Sequence, residues 1–433
     1  MRVRMSWVGS ALLGHGTSVT GVKPSRRNII VSVCKVRAKM KMEKARVGIA
    51  GLGLAARSHL KGYLSHKDAE VVAVCDIDAR RAEAFAEEHG IPKAYVSFDN
   101  MLADSRINVV DIATPTHLHC SMTARAAAAG KHVHCEKPFC RYAGEGLDVR
   151  RIAAENNVKV MVGETYVFLS SHQKARELLE AGEIGRPLQM RQRHGAWLEK
   201  KRLGAGDLSI DRSWRVDPVH SGGGEFPWIF DHAVHFFATA EYLMLDTPVR
   251  QVYAVTADNN ALRKRRGAAH DPYQSAEMDI PIITWRHEDP ACQGVWMRAE
   301  RLNGKYDHML GFSTMIAGEY GTIEVLGEGG GNLSWQGEDT HLILHRENGN
   351  TLTFRFDEGG DDVWKSNISY YSTGHIRQIH HFLDCLIDNQ ETRYPCEKGV
   401  QAVRCTLAVI LSARENRPVC VNEIPDDFRA YSS

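Results

Sequence analysis

No stretch of this 433-residue chain approaches the roughly 20 consecutive apolar residues that a membrane-spanning helix requires, so no helical span is expected. A surplus of charge of one sign is missing as well: 54 Lys and Arg stand against 53 Asp and Glu, a net +1. Without an electrostatic footprint, nucleic acid and anionic membrane are poor partners. Paired cysteine spacing is also absent. The ten cysteines are scattered, and Cys75 and Cys135 lie in apolar, strand-like runs. That points to reduced thiols in a cytoplasmic setting, not to a disulfide framework. The remainder is ordinary for a globular protein, with 43% hydrophobic and 25% charged residues. The length exceeds a single core, so two domains are expected.

Residues 1–42 are rich in Arg, Lys, Gly and Ser and hold only short apolar bursts. Ser25-Arg26-Arg27 and Val31-Ser32-Val33-Cys34 have the outline of export signals. The apolar stretch after Arg27 is about six residues, shorter than the ~7–15 such signals need, and it runs into Lys35, Arg37, Lys39 and Lys41. A disordered extension is expected, with Met40 or Met42 as the natural start.

From Ala45 the pattern becomes regular. Short apolar runs over 46–51, 71–75, 109–113 and 132–135 alternate with helical stretches over 54–64, 79–89 and 121–129. Strands buried on both faces and alternating with helices predict a doubly wound parallel α/β sheet over 43–163. After Leu188 the character changes. Strand-like segments over 189–194, 249–256, 277–285, 294–301, 313–317, 322–326, 341–345 and 351–356 predict an open, mainly antiparallel sheet in an α+β domain over 164–433. Helices over 172–181 and 231–245 should cover one face, and those over 375–387 and 398–415 should pack back on the body. Trp296, Met297 and Met315 read either as exposed sheet surface or as core.

Two motifs carry the chemistry. Gly51, Gly53 and Ala56 stand at the G-x-G-x-x-G/A positions, after a strand and at the opening of a helix. The first glycine permits a tight turn, the second lets a pyrophosphate approach, and the helix N-terminus supplies free N–H groups. Asp76 closes the second strand, where a carboxylate accepts from ribose hydroxyls and repels a 2′-phosphate, so NAD is favoured. Arg80 and Arg81 keep NADP open. The second motif, Cys135-Glu136-Lys137-Pro138, puts a lysine at the end of a buried strand. A cofactor cradle with a positioned cation reads as a redox site.

With Ala113-Thr114-Pro115-Thr116-His117-Leu118-His119, Gly182-Glu183-Ile184-Gly185-Arg186-Pro187, Trp214-Arg215, Ser221-Gly222-Gly223-Gly224 and Asp231 to His235, the chain resembles the Gfo/Idh/MocA family of glucose-fructose oxidoreductase and inositol dehydrogenase. The resemblance runs from about Ala45 to about Val421. It implies a Rossmann domain binding NAD, or NADP, through Gly51, Gly53, Leu54, Ala55, Asp76, Thr114, Pro115, His119, Glu136 and Lys137. It also implies hydride transfer to or from a carbinol of a sugar, glycoside or cyclitol, and assembly as a homodimer or homotetramer. Lys137, Asp231 and His235 would carry the proton transfer, across a Lys137–Pro138 bond that the family holds cis.

Asp231 and His235, four residues apart on a helix, are expected to hydrogen-bond, so that the carboxylate fixes the imidazole's tautomer. An ungapped register would select His232 instead. Val167 stands where the family often has arginine. Tyr166, His194, Trp197, Trp214, Arg215, Asp217, Tyr370 and Tyr371 are candidates to line the substrate cleft, and Glu164 falls near its mouth. His117, His119, Cys120, His132, His134 and Cys135 suggest a metal site only superficially, because they lack ligand spacing and sit beside a lysine, so no metal is expected. Two other readings stay open: a glycosidase that retains NAD and cleaves through a transient 3-keto sugar, and a silent cofactor and sugar sensor.

Overall fold

The computed structural model describes residues 42–194, 213–256, 281–298, 313–326, 341–356 and 369–432. The expected extension, apart from Met42, lies outside the described residues, as do Trp197 and parts of the segments over 277–285 and 294–301.

Strands with no polar face to offer water must be covered on both sides. The early apolar runs do this as β1 (Ala45–Ala50), β2 (Ala69–Cys75), β3 (Ala94–Tyr95), β4 (Val109–Ile112), β5 (His132–Glu136) and β6 (Val160–Gly163). All pair in parallel, in the order β3-β2-β1-β4-β5-β6. This is the expected doubly wound sheet. The main crossovers are α1 (Leu54–Ser65), α2 (Ala79–His89), α3 (Phe98–Leu102), α4 (Thr116–Ala128) and α5 (Ala143–Glu155). Helix α2 starts at Asp78, whose side chain accepts from the Arg80 and Arg81 N–H groups, and stops at Gly90 in the left-handed conformation. Helix α4 starts five residues before the expected point, because Pro115 in extended conformation serves as its N-cap.

The second sheet has nine strands: β7 (Pro187–His194), β8 (Val249–Thr256), β9 (Pro281–His287), β10 (Gln293–Arg298), β11 (Ser313–Gly318), β12 (Gly321–Leu326), β13 (His341–Arg346), β14 (Thr351–Arg355) and β15 (Val419–Cys420). Their order is β14-β13-β12-β11-β7-β10-β9-β8-β15, and only β7 with β10 runs parallel among the described pairs. Alternating burial along β9 shows one covered and one open face. Trp296 belongs to the core, whereas Met297 is exposed.

Helices α6 (Ser170–Glu180), α7 (Pro218–Ser221) and α8 (Pro227–Leu243) follow in the second domain. In α8 every residue is buried except His232 and Glu241, which are half-buried, as expected of a helix apolar on nearly all sides. Burying Phe230 and Phe237 there contributes about 1.5–3 kcal/mol each. It begins with Pro227, which needs no N–H partner at that position, one turn before Asp231. The chain then returns through α9 (Ser369–Ile387), packed on α1, and α10 (Cys396–Glu415), packed on α5, α8 and β8. Val162 N–H donates to Tyr394 O at 2.9 Å, which fastens this return to the first sheet. The carboxyl ends of the parallel strands thereby face residues brought in by α8.

Candidate active site

The turn after β1 is built for close approach. Gly51 has φ +85°, and a Cβ there would lie 2.7 Å from Ala113 O, so only glycine fits. A Cβ on Gly53 would meet nothing within 4 Å, which leaves open space above the start of α1. No side chain caps that helix, so the first-turn N–H groups of Leu54 and Ala55 stay available to an anion. The buried Thr114 hydroxyl beside Gly51 has no hydrogen-bond partner among the described residues. An uncapped helix start, open space and an orphaned hydroxyl fit a dinucleotide's phosphates.

Asp76 is buried at the end of β2. It accepts from Leu52 N (2.9 Å), Asp78 N (2.9 Å) and the Arg81 guanidinium (3.1 Å). The carboxylate thus shapes the glycine turn itself, and Arg81 stands beside it as a cation. His119 differs from the expected cofactor contact. It is buried, with Nδ1 2.7 Å from Pro138 O and Nε2 2.8 Å from Thr114 O. With both ring nitrogens directed at main-chain carbonyls, it holds the two loops that flank the cleft and has no nitrogen left for a cofactor.

The Lys137–Pro138 peptide bond is cis, as the resemblance implied. Lys137 Nζ donates to Asp231 Oδ1 at 3.2 Å and to Asp231 O at 3.1 Å. Arg215 approaches the other Asp231 oxygen at 3.5 Å. Burial would raise the Asp231 carboxyl, but Lys137 and Arg215 outweigh it and hold the group well below the usual carboxylate range.

Asp231 and His235 share a face of α8 but do not hydrogen-bond, which corrects the expected pairing. Two cations already occupy Asp231, and the His235 ring turns the other way. His235 Nδ1 lies 2.6 Å from Glu164 Oε1, and that oxygen also accepts from Tyr166 N at 3.1 Å. The Tyr166 ring stacks on the imidazole at 4.4 Å. Glu164, expected near the cleft mouth, is thus the acidic partner of the His235 ring, a contact the sequence did not indicate. His235 Nε2 has no protein partner among the described residues, while the ring remains near enough to influence the Asp231 charge. His232 stacks on Trp228 at 3.9 Å, with Nδ1 3.1 Å from Trp228 O.

The remaining candidates separate. Trp214 and Arg215 lie in one 3₁₀ turn, with the guanidinium 5.2 Å from the indole centre. Asp217 caps α7 through the Val219 and His220 N–H groups, which identifies it as a structural group. The side chains of His194, Tyr370 and Tyr371 lie outside the described part of the structure. Nor do the six suggested metal ligands converge: His117 stacks on His220, and His132 accepts from Lys159 N. Burial beside His220 and Arg141 pushes His117 down to about 4. Two sets among the described residues do bring ligand atoms together, His59 with Asp111 and His134, and His59 with Glu136 and His375.

Two family models match the chain: "Oxidoreductase family, NAD-binding Rossmann fold" over residues 45–164, and "Oxidoreductase family, C-terminal alpha/beta domain" over residues 176–421. The 1,5-anhydro-D-fructose reductase of Ensifer adhaerens is 30% identical over 48% of this chain and 59% of its own length, so the match spans little more than half of that relative. The myo-inositol 2-dehydrogenase of Thermotoga maritima is 24% identical over 88% of this chain and 99% of its own. Among solved structures, levoglucosan dehydrogenase in complex with NADH and levoglucosan has a similar fold, with TM-score 0.68 and 22% identity over 87% of this chain and 99% of that one.

Proposed function

Because the chain belongs to the Gfo/Idh/MocA oxidoreductase family, we propose that it is an NAD(P)-dependent dehydrogenase acting on a carbinol of a sugar, glycoside or cyclitol. One observation carries this reading: His235 has Nδ1 committed to Glu164 and Nε2 without a protein partner among the described residues, beside the Lys137–Asp231 pair. The relatives' names, a reductase of anhydrofructose and dehydrogenases of inositol and levoglucosan, support the substrate class.

The nicotinamide, when bound, supplies the hydride acceptor or donor. The protein's own groups handle the proton. With Nδ1–H donating to Glu164, the Nε2 lone pair of His235 is free to take the hydroxyl proton as the carbon gives up hydride. Lys137, held by Asp231, places a positive charge where an alkoxide develops. Arg215 braces Asp231 from the other side and lies next to the Trp214 indole, a face suited to a sugar ring.

Asp76 favours NAD, and Arg81 at 3.1 Å from it keeps NADP within reach. Val255, Ile282 and Met297 are exposed and adjacent on β8, β9 and β10, an apolar row that supports self-association through the open sheet face. Nine described cysteines are free and all but Cys420 are buried, which supports a reducing, cytoplasmic setting.

The test is a panel of sugars, glycosides and cyclitols with NAD and NADP, following absorbance near 340 nm and glycoside cleavage together. Net reduced cofactor is the expected result. Cleavage without net reduction would make the protein a glycosidase acting through a transient keto sugar. Binding without either reaction would make it a sensor.

A further inference from the structure

Beneath the cleft lies a second set of ionisable groups that the proton transfer above does not use. His59, on α1, is fully buried, with Nδ1 2.9 Å from Asp111 Oδ2 and Nε2 3.0 Å from Glu136 Oε1. A neutral imidazole has one N–H, so its second nitrogen would aim a lone pair at a carboxylate oxygen in a buried site. With Asp111 and Glu136 both held as carboxylates by their neighbours, both contacts are attractive only if both nitrogens carry protons. Asp111, in the middle of the buried strand β4, is itself held, because its other oxygen lies 2.7 Å from His134 Nδ1.

The groups packed around His59 account for the charge. Asp111 comes from β4 with Tyr63 of α1 close to its charge, His134 and Glu136 come from β5, and His375 comes from α9, with its ring 5.5 Å from His59. Lys137 follows Glu136 in the chain. Burial would lower His59, but Asp111 and Glu136 raise it to about 10. Burial would raise Glu136, but His59, His375 and Lys137 bring it down to about 2.

This chain of charges has one outlet. Glu136 Oε1 is taken by His59, while Oε2 has no protein partner among the described residues. Glu136 is the last residue of β5, at the carboxyl edge of the parallel sheet where doubly wound folds bind their ligands. We propose that His59 is a permanent imidazolium and a positioning residue: anchored by Asp111, it fixes Glu136 as a carboxylate whose open oxygen serves the cofactor cleft. A fixed negative charge there favours the cationic oxidised nicotinamide over the neutral reduced one. The inference rests on the dinucleotide reading above, but not on any substrate.

The experiment uses the full chain and measures the dissociation constants of oxidised and reduced dinucleotide by calorimetry. Wild type, Glu136→Gln, His59→Gln and His59→Lys are compared, and ¹⁵N NMR of the histidine rings is recorded at pH 8. The His59 ring should show two protonated nitrogens at pH 8. Glu136→Gln and His59→Gln should move the ratio of the two constants about tenfold toward the reduced form. His59→Lys, which restores the cation, should recover much of that change. Glu136→Gln leaves the His59–Asp111 contact in place, so it remains informative if His59→Gln fails to fold.

A neutral His59 ring at pH 8, or an unchanged ratio in folded Glu136→Gln, overturns the proposal. So does one equivalent of metal that copurifies with wild type and is absent from His59→Gln, because a metal would then hold the place given to the proton. Inactivity on every polyol, with the expected ratios intact, removes the dehydrogenase reading and leaves this one standing. Activity with an unchanged ratio does the reverse, and failure to bind either dinucleotide sinks both.

Discussion

His235 and His59 are both buried imidazoles braced by carboxylates, yet they suit opposite tasks. His235 meets one carboxylate, Glu164, and keeps Nε2 unengaged among the described residues. His59 meets two, Asp111 and Glu136, and keeps nothing free. One carboxylate orients a ring and leaves a nitrogen to exchange a proton. Two carboxylates hold the proton in place. The number of anions around an imidazole, more than its burial, decides whether it can act as a base.

The sharpest way to break this contrast is to remove the exchanging ring. His235→Ala should lower kcat by roughly 10²–10⁴, the range for a positioned acid–base group, with little change in dinucleotide affinity. His232→Ala should retain most activity, since that ring stacks on Trp228 and bonds its carbonyl. A dead His232 variant beside an active His235 variant would transfer the role to His232.

Glu164→Gln sharpens the comparison by keeping the shape and removing the charge. The amide oxygen can still accept from Tyr166 N and His235 Nδ1, so the effect isolates the carboxylate's support of the imidazolium formed during turnover. A loss of roughly 10–10² in kcat is expected, smaller than for His235→Ala. Unchanged kcat in Glu164→Gln would mean that Glu164 only packs against the ring.

These pairings also show where sequence reasoning stops. The glycine turn, the Lys-Pro step and the face shared by Asp231 and His235 were legible because each is local, fixed by spacings of five residues or fewer. The partners were not. Glu164 reaches His235 across 71 positions, and His59 reaches Glu136 across 77. Asp111 offered one unread signal, a lone carboxylate in the apolar run Val109-Val110-Asp111-Ile112, which must find partners once β4 is buried. Helix α5 escaped notice because Gly144 and Gly146 dilute its helical pattern. Gly146 is there for packing, since a Cβ would lie 2.4 Å from Val400 Cγ2 on α10. In the second sheet, the parallel pairing of β7 with β10 joins strands about a hundred residues apart, and no local pattern announces it.

A smaller effect is expected at the cofactor end. Asp76→Ser removes the anion that a 2′-phosphate would meet and releases Arg81 from its 3.1 Å contact. The ratio of kcat/KM for NADP over NAD should rise about tenfold, with some loss for both because Leu52 N also loses its acceptor. If wild type already prefers NADP, Arg81 rather than Asp76 sets the choice.

The smallest effect concerns a carboxylate with no cation bonded to it. Asp231 and Glu241 ride the same helix, but among the described residues Glu241 accepts only from Val249 N at 2.9 Å and Gln401 Nε2 at 3.0 Å. Burial therefore dominates and raises its pKa from 4.5 to about 7. Below pH 4.5 the group is protonated in both folded and unfolded chains. Between there and about pH 7 only the unfolded chain has lost its proton, so this group's contribution to stability falls as pH rises through that window. Above it the deficit is constant, on the order of 1–3 kcal/mol. Glu241→Gln keeps an oxygen for both donors and cannot ionise. Its Tm should match wild type at pH 4.5 and exceed it by a few degrees at pH 8. An equal difference at both pH values would show that Glu241 is already satisfied as an anion. In that case a half-buried carboxylate here needs only two neutral donors, and the cations around Asp231 serve the chemistry and not the fold.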